Sequence, residues 1–449
     1  MSKVDIRCND ELYDYYGGHL SDGRPILNSS EFKYVTDKYG KDIARETLAH
    51  YIHNNRTEYP IKDIGYDRMS KTFHKLRTSS YFETITPVEN FENGIIEKYE
   101  YEYDFDTYGL GVIDAPATFN PASDYFMNKL RARCSSVTHD GPAVVWEEGS
   151  VRKIWQAFGA IWRGVNNCHF DEEGKVISGD LTNDTYLTAF RLGTYLATQF
   201  KPNVARTIYE MCDAKKVLDT SMGWGDRLCG FMTSNAKEYV GCDPNPNTFK
   251  NYKIMAKEYS KLVGDEIISV VDEDDYYKQI GTKKTVTVYR SGAENIPWND
   301  VNEIDCAFTS PPYFSTEKYN EGGDKEEDQS WSKFKEYESW RDDFYLPVAK
   351  NSFDALSDNG FLLVNIMDPR IHGKRYHSGD ELVNSMKDDF VGQVGMRIMQ
   401  RPHGKMKFTP EELREYMKKT YIENVWVFSK GSKLDLFRDA RVSNLDSFF

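Results

Sequence analysis

The sequence predicts an α/β fold. From about residue 200 onward, short apolar segments rich in β-branched residues alternate with amphipathic segments of helical period, as in a mostly parallel sheet covered by helices. Three of the apolar segments stop at a polar side chain, Asp219, Asp243 and Ser310, and glycines at 223 and 225 follow the first. Ligands of parallel sheets bind beyond the carboxyl ends of the strands, so these three side chains are expected on one edge.

In chain order, residues 1–190 are the least patterned. Helices are expected over Ser30–Tyr39 and Lys41–Ile52, the second placing Ile43, Leu48, Tyr51 and Ile52 near one face. Lys71, His74, Lys75 and Arg77 form a compact basic cluster, and such runs are more often a solvated helix face than a binding site. Aromatic and acidic residues alternate through Glu97–Tyr103, the period of a half-buried strand, until Pro116 and Pro121 break the pattern. Ile154, Phe158, Ile161 and Trp162 recur at helical spacing within Val151–Val165. The turn-rich stretch Asp171–Asp184 marks the expected boundary. The chain is therefore divided into an N-terminal α+β region (1–190), a second domain (191–432) and a tail (433–449).

The second domain reads as helix Val204–Met211, strand Val217–Asp219, strand Tyr239–Cys242, helix Phe249–Leu262, and strands Thr285–Tyr289 and Ile304–Thr309. A long helix, Phe334–Leu356, is expected to stop at Asn359-Gly360. Strands Phe361–Ile366, Val391–Ile398 and Asn424–Ser429 complete the set.

Composition bounds the function. The 449 residues are 39% hydrophobic, enough to bury two cores, and no apolar run is long enough to span a bilayer, so a soluble, cytoplasmic protein is expected. Seven scattered cysteines without C-x-x-C spacing argue against disulfides and against a metal site, and the Cys168-His169 pair reads as packing. The net charge of −14 disfavours indiscriminate grip on nucleic acid, so a DNA partner requires a local basic patch. Two loops leaving the carboxyl edge supply candidates. One carries Asp368, Arg370, His372, Lys374, Arg375 and His377, and the other Arg401, His403, Lys405 and Lys407. Arg370, Lys374, Arg375, Lys405 and Lys407 are the residues expected to meet phosphates.

The chemistry centres on Ser310-Pro311-Pro312-Tyr313-Phe314. Two consecutive prolines end the strand and leave carbonyls for partners outside the ladder; Ser310 adds a hydroxyl, and Tyr313 and Phe314 add flat faces for a planar ring. Taken alone the motif is also an ordinary strand terminator. Its context is Asp219-Thr220-Ser221-Met222-Gly223-Trp224-Gly225, a strand end and glycine turn, followed by a second strand that ends in Asp243.

With these motifs the chain resembles the S-adenosylmethionine-dependent DNA amino-methyltransferases, which methylate N4 of cytosine or N6 of adenine; the resemblance runs from Phe200 to about Ser429. It implies a class I methyltransferase-like Rossmann sheet, mostly parallel with the last strand antiparallel. It implies S-adenosyl-L-methionine as cofactor, held by Phe200, Pro202, Asp219, Gly223, Gly225 and Asp243, the last on the ribose. It also implies that Ser310, Pro311, Pro312 and Tyr313 are catalytic, with Phe314 beside a flipped base. Gly-Trp-Gly-Asp-Arg stands where such enzymes more often have Gly-Ser-Gly-Thr, marking a divergent member. At Ser291-Gly292-Ala293-Glu294 the acidic residue usually set against adenine is displaced, leaving Ala293, through its backbone, and Glu294 as the cofactor positions. Double- or single-stranded DNA is the expected partner; RNA, protein or a small molecule is the alternative acceptor, and a non-catalytic binding module the third reading.

Overall fold

The computed structural model describes residues 6–86, 95, 96, 111–163, 168–171, 173, 176–371, 373–399, 412, 415 and 420–431. These fall into two compact units that do not follow a single break near residue 190. One comprises Met1–Asp63 and Asn128–Ala197; the other comprises Ile64–Met127, Thr198–Pro402 and the described part of Phe408–Phe449. Val112–Asp114 belongs to the second unit because it pairs with the sheet there, and Arg397 and Asp114 form an ion pair across that register.

The first unit is mainly helical. Its core gathers Leu12, Tyr16, Leu48, Ile52, Trp146, Phe158, Tyr186 and Phe190, all almost fully buried. The two helices expected between Ser30 and Ile52 are one element, Ser29–Asn55, kinked where Gly40 adopts φ 76°. An Asn28/Glu31 capping box starts it, with each side chain accepting from the other's backbone N–H. The helix expected over Val151–Val165 ends at Phe158, before Gly159. The strand expected at Glu97–Tyr103 lies outside the described residues.

The second unit is built on a sheet of twelve strands among the described residues. In chain order these are β1 (Ile85–Thr86), β2 (Ile95–Ile96), β3 (Val112–Asp114), β4 (Lys216–Asp219), β5 (Glu238–Cys242) and β6 (Ile267–Asp272). They continue as β7 (Tyr276–Gly281), β8 (Thr285–Tyr289), β9 (Ile304–Thr309), β10 (Leu356–Asn365), β11 (Phe390–Met399) and β12 (Thr420–Ser429). The order across the sheet is β6-β7-β8-β5-β4-β9-β10-β12-β11-β3-β1, with β2 beside β12. From β8 to β10 every pairing is parallel; β12 is inserted antiparallel between β10 and β11. This bears out the mostly parallel sheet with an antiparallel last strand.

Two expectations need correction. The antiparallel hairpin β6–β7 was not legible, because Ile267–Asp272 is exposed at every position and shows no alternation. The long helix over Phe334–Leu356 is instead a succession of short pieces: Ser330–Lys333, Tyr337–Trp340, a π-helical turn at Arg341–Tyr345, and Leu346–Asp354. Pro347 has no N–H to donate and its ring crowds the preceding turn, so a regular helix cannot pass through it. The basic cluster near residue 74 is a solvated face of helix Tyr66–Thr78, whose Met69, Phe73 and Leu76 are buried.

The turn after β4 needs both glycines, for different reasons. Gly225 has φ 74°, and a Cβ there would lie 2.6 Å from the Met255 methyl; Gly223 has φ 53°, but nothing lies closer to its missing Cβ than the Ser221 carbonyl at 3.8 Å. Gly225→Ala is therefore expected to destabilise the fold by about 2–4 kcal/mol, combining backbone strain with overpacking. Gly223→Ala should cost about 1–2 kcal/mol from strain alone. Denaturant unfolding of both variants checks the order.

Candidate functional site

Strand β4 ends in Asp219, which is completely buried. Its Oδ2 accepts from the Tyr239 hydroxyl at 2.7 Å, while Oδ1 accepts from the Ser221 N–H at 3.2 Å and pairs with Arg227 Nε at 3.0 Å. Both oxygens are thus engaged within the protein. Asp219 fixes the glycine turn instead of presenting an acceptor to a ligand. Arg227 also donates to the Ser221 carbonyl and lies 5.1 Å from the Phe200 ring centroid. Phe200 packs against Phe308, and Pro202 is buried at the start of helix Pro202–Met211, so these two support the site from behind. Asp226, next to Arg227, takes hydrogen bonds from Ser123 and Gln199, and burial pushes its carboxyl up to about 7.

Beyond the strand ends lies a cleft enclosing about 660 Å³ of empty space, a figure that includes open solvent at its mouth. Gly223, Asp243, Ala293, Glu294, Ser310 and Pro312 all line it. Gly225, Pro311 and Tyr313 are not on its wall. Asp243 Oδ2 accepts from the Gly223 N–H at 2.9 Å, and its Oδ1 accepts from the Asn245 N–H at 3.0 Å and from Thr248 at 3.3 Å. Burial raises this carboxyl to about 6, against the pull of the two backbone donors.

Glu294 reaches Lys333 through one oxygen, but its Oε2 is buried without a hydrogen-bond partner. Gln329 Nε2 and Ser330 Oγ are likewise buried and unpartnered, and both residues line the same cleft. Sequence reasoning missed Gln329 and Ser330, which lie just past an acidic insertion with no recognisable pattern. The segment is tied down where the Trp331 indole donates to the Tyr319 carbonyl, and Tyr319 in turn faces Trp224 with ring centroids 5.7 Å apart.

At the end of β9, Ser310 donates to the Tyr313 hydroxyl at 3.5 Å, and that hydroxyl donates toward Asn365, with its O at 3.3 Å and Oδ1 at 3.2 Å. Burial holds the Tyr313 phenol well above its ordinary pKa. Phe314 departs from expectation. It turns at φ 52° and is 5% exposed, packed among Tyr337, Trp340 and Tyr376, so it presents no face to a substrate.

On the loop after β10, Arg370 and Lys374 are exposed on a short hairpin, Arg370–Ile371 with Lys374–Arg375. Arg375 is paired with buried Asp368 at 3.1 Å, so it is not available as a free cation. Lys405 and Lys407 lie outside the described residues. No cluster of metal-ligating side chains occurs among the described residues, and no described helix is long and apolar enough to cross a membrane.

A sheet in this order, with a cleft over the ends of β4, β5 and β9, defines the class I methyltransferase fold. The family model described as DNA methylase, for N6 and N4 methyltransferases, matches residues 304–445, a stretch that opens with β9 and includes Ser310–Tyr313. Over that stretch the resemblance to the amino-methyltransferases is borne out. Similar solved structures include a SAM-dependent O-methyltransferase from Thermotoga maritima, at 11% identity over 53% of this chain and 68% of that one, with TM-score 0.29. An rRNA methylase from Streptococcus thermophilus matches at 10% identity over 53% and 100%, with TM-score 0.28. TehB from Haemophilus influenzae matches at 11% over 59% and 84%, with TM-score 0.30. No curated protein sequence matches the chain. The protein is a methyltransferase whose methyl donor is S-adenosylmethionine.

The cleft suits that donor. The side of Gly223 that a Cβ would occupy is open, Asp243 offers a carboxylate to hydroxyl groups, and Glu294, Gln329 and Ser330 bring polar side chains to the cleft wall. Asp243→Ala is expected to weaken binding of S-adenosylmethionine by about 1.5–3 kcal/mol. Hydroxyl donors bind the ionised carboxylate more tightly than the protonated one, so wild-type affinity should fall as pH drops through about 6, and Asp243→Asn should flatten that dependence. Calorimetric titration between pH 5 and pH 8 measures both; an unchanged affinity removes Asp243 from the site.

Proposed function

We propose that the protein methylates the exocyclic amino group of a DNA base, N4 of cytosine ahead of N6 of adenine, with the base flipped out of its stack. One observation carries the reading: Ser310 and Pro312 line the same cleft as Gly223 and Asp243, so an amine held at the Ser-Pro-Pro turn stands beside the donor site. The DNA methylase match over residues 304–445 supports the acceptor class.

When bound, S-adenosylmethionine supplies an electrophilic methyl group on a sulfonium. Gly223 and Asp243 hold its polar parts, with Ala293 and Glu294 at the nucleobase. An exocyclic amine is a poor nucleophile, because its lone pair is conjugated with the ring. The Ser310 hydroxyl directs its own proton at Tyr313, which leaves its oxygen lone pairs to accept an amine N–H. An acceptor there favours a pyramidal nitrogen and aims its lone pair, so orientation and electrostatics supply the catalysis; the nitrogen takes the methyl group as the methyl–sulfur bond breaks, leaving a neutral thioether, and the methylated amine gives up one proton to solvent. Asn365 keeps Tyr313 in place and thereby fixes the Ser310 rotor. Tyr313 is thus a positioning residue in this site. The preference for cytosine follows from Ser310, whose short side chain lacks the reach and the second polar atom that Asp or Asn brings to a purine. Extrusion of the base costs a few kcal/mol for a duplex and less for single strands.

RNA, protein or a small molecule is the second reading, favoured by the net charge of −14 and by the engagement of Arg375 with Asp368. Digestion of DNA to nucleosides after incubation with active protein, followed by mass analysis, decides between them. N4-methylcytosine is expected, and it should be absent with the Ser310→Ala, Tyr313→Ala double variant. N6-methyladenine alone reverses the base assignment, and unmodified DNA transfers the proposal to the second reading.

Phosphate contact is tested separately. If Arg370 and Lys374 each meet a phosphate, the log–log dependence of DNA affinity on salt should lose about one unit of slope on neutralising either. Lys71→Ala, on a solvated helix face, should leave the slope unchanged. Fluorescence anisotropy across a salt series reads all three, and wild-type slopes throughout exclude the hairpin as a DNA contact.

A further inference from the structure

We propose that the free edge strand β6 pairs with β6 of a second copy of this chain, giving an antiparallel two-fold dimer centred on Ser269. The proposal is independent of the methyl acceptor. Among the described residues β6 has a neighbour on one side only, β7, so it leaves a row of backbone donors and acceptors facing outward. All six of its residues are exposed, including Ile268 at 67%, Val271 at 43% and Val270 at 40%. Protein edges are normally guarded by lysine, proline or a bulge. From Ile267 to Val271 there is neither lysine nor proline, and the one irregularity is the register shift with β7 at Ile268, next to Ser269.

The sequence itself says what fits there. Ile267-Ile268-Ser269-Val270-Val271 reads as the same residue classes in both directions about Ser269. An antiparallel copy therefore sets Ser269 against Ser269, Val270 against Ile268 and Val271 against Ile267, so that β-branched side chains meet on both faces. One step further out, Glu266 of the second copy comes opposite Asp272. Two acids there would repel, but Asp272 is met by Lys253 and by Lys257 at 3.9 Å, which gives two cations for the two carboxylates. A strand pair with this fringe is small beside the roughly 1,200 Å² of a standard stable interface, so the dimer should be concentration-dependent, in the micromolar range.

Sedimentation velocity of the full chain over a concentration series is the test. The wild type is expected to pass from monomer to a discrete dimer, and Val270→Lys, a change at an exposed position, to weaken dimerisation at least about tenfold while circular dichroism is unchanged. As a second measurement, Ser269→Cys in a Cys8→Ser background, which removes an exposed native thiol, should form a single disulfide-linked dimer on mild oxidation. A wild type monomeric at every concentration overturns the proposal, as does a dimer insensitive to Val270→Lys, open-ended polymers instead of dimers, or no cross-link at Ser269.

Discussion

The site depends on one buried ion pair. Arg227 and Asp219 face each other at 3.0 Å with almost no solvent access, and both also hold Ser221, one at its N–H and the other at its carbonyl. Removing either partner strands a charge in the interior, a loss of about 3–5 kcal/mol. More consequentially, it frees the turn that sets Gly223 against Asp243. This accounts for Gly-Trp-Gly-Asp-Arg. Trp224 closes one side of the cleft, Gly225 gives way to Met255, Asp226 caps a buried polar cluster, and Arg227 locks the strand end. A motif that looks irregular beside its relatives is internally consistent once the ion pair is seen.

Much of the second unit was legible because its signals are local. Strand ends at Asp219, Asp243 and Thr309–Ser310, and the helix over Phe249–Leu262, follow from short-range pattern alone. What escaped was decided by tertiary context. Asp219 and Asp243 occupy like positions at adjacent strand ends, yet only a distant Arg and Tyr determine that the first is sealed and the second faces the cleft. Phe314 follows Tyr313 in an aromatic pair, but a single left-handed residue sends its ring into the core. Gln329 and Ser330 have no periodicity to announce them; they matter because the chain after the Ser-Pro-Pro turn folds back over the cleft.

That return links the two halves of the chemistry. The segment that begins at Ser310 returns to the cleft within about twenty residues at Gln329 and Ser330, and Glu294 is tied to the same short helix through Lys333, its Oε2 fitted against Gly292, where a Cβ would lie 2.5 Å away. Each unpartnered buried polar group costs about 1–3 kcal/mol of stability.

The position of β12 has a consequence for how the protein is made. It fills the slot between β10 and β11, yet it is the last described strand of the sheet to leave the ribosome. Until Thr420–Ser429 emerges, the facing edges of β10 and β11 have no strand between them, and the buried faces of Trp426 and Phe428 are missing from the core. Vectorial synthesis can assemble the half that holds the glycine turn early, but the half carrying Asn365 is completed only once Thr420–Ser429 has been made. A chain that lacks residues from 420 onward therefore leaves two adjoining strand edges, one on β10 and one on β11, as open templates for stray pairing.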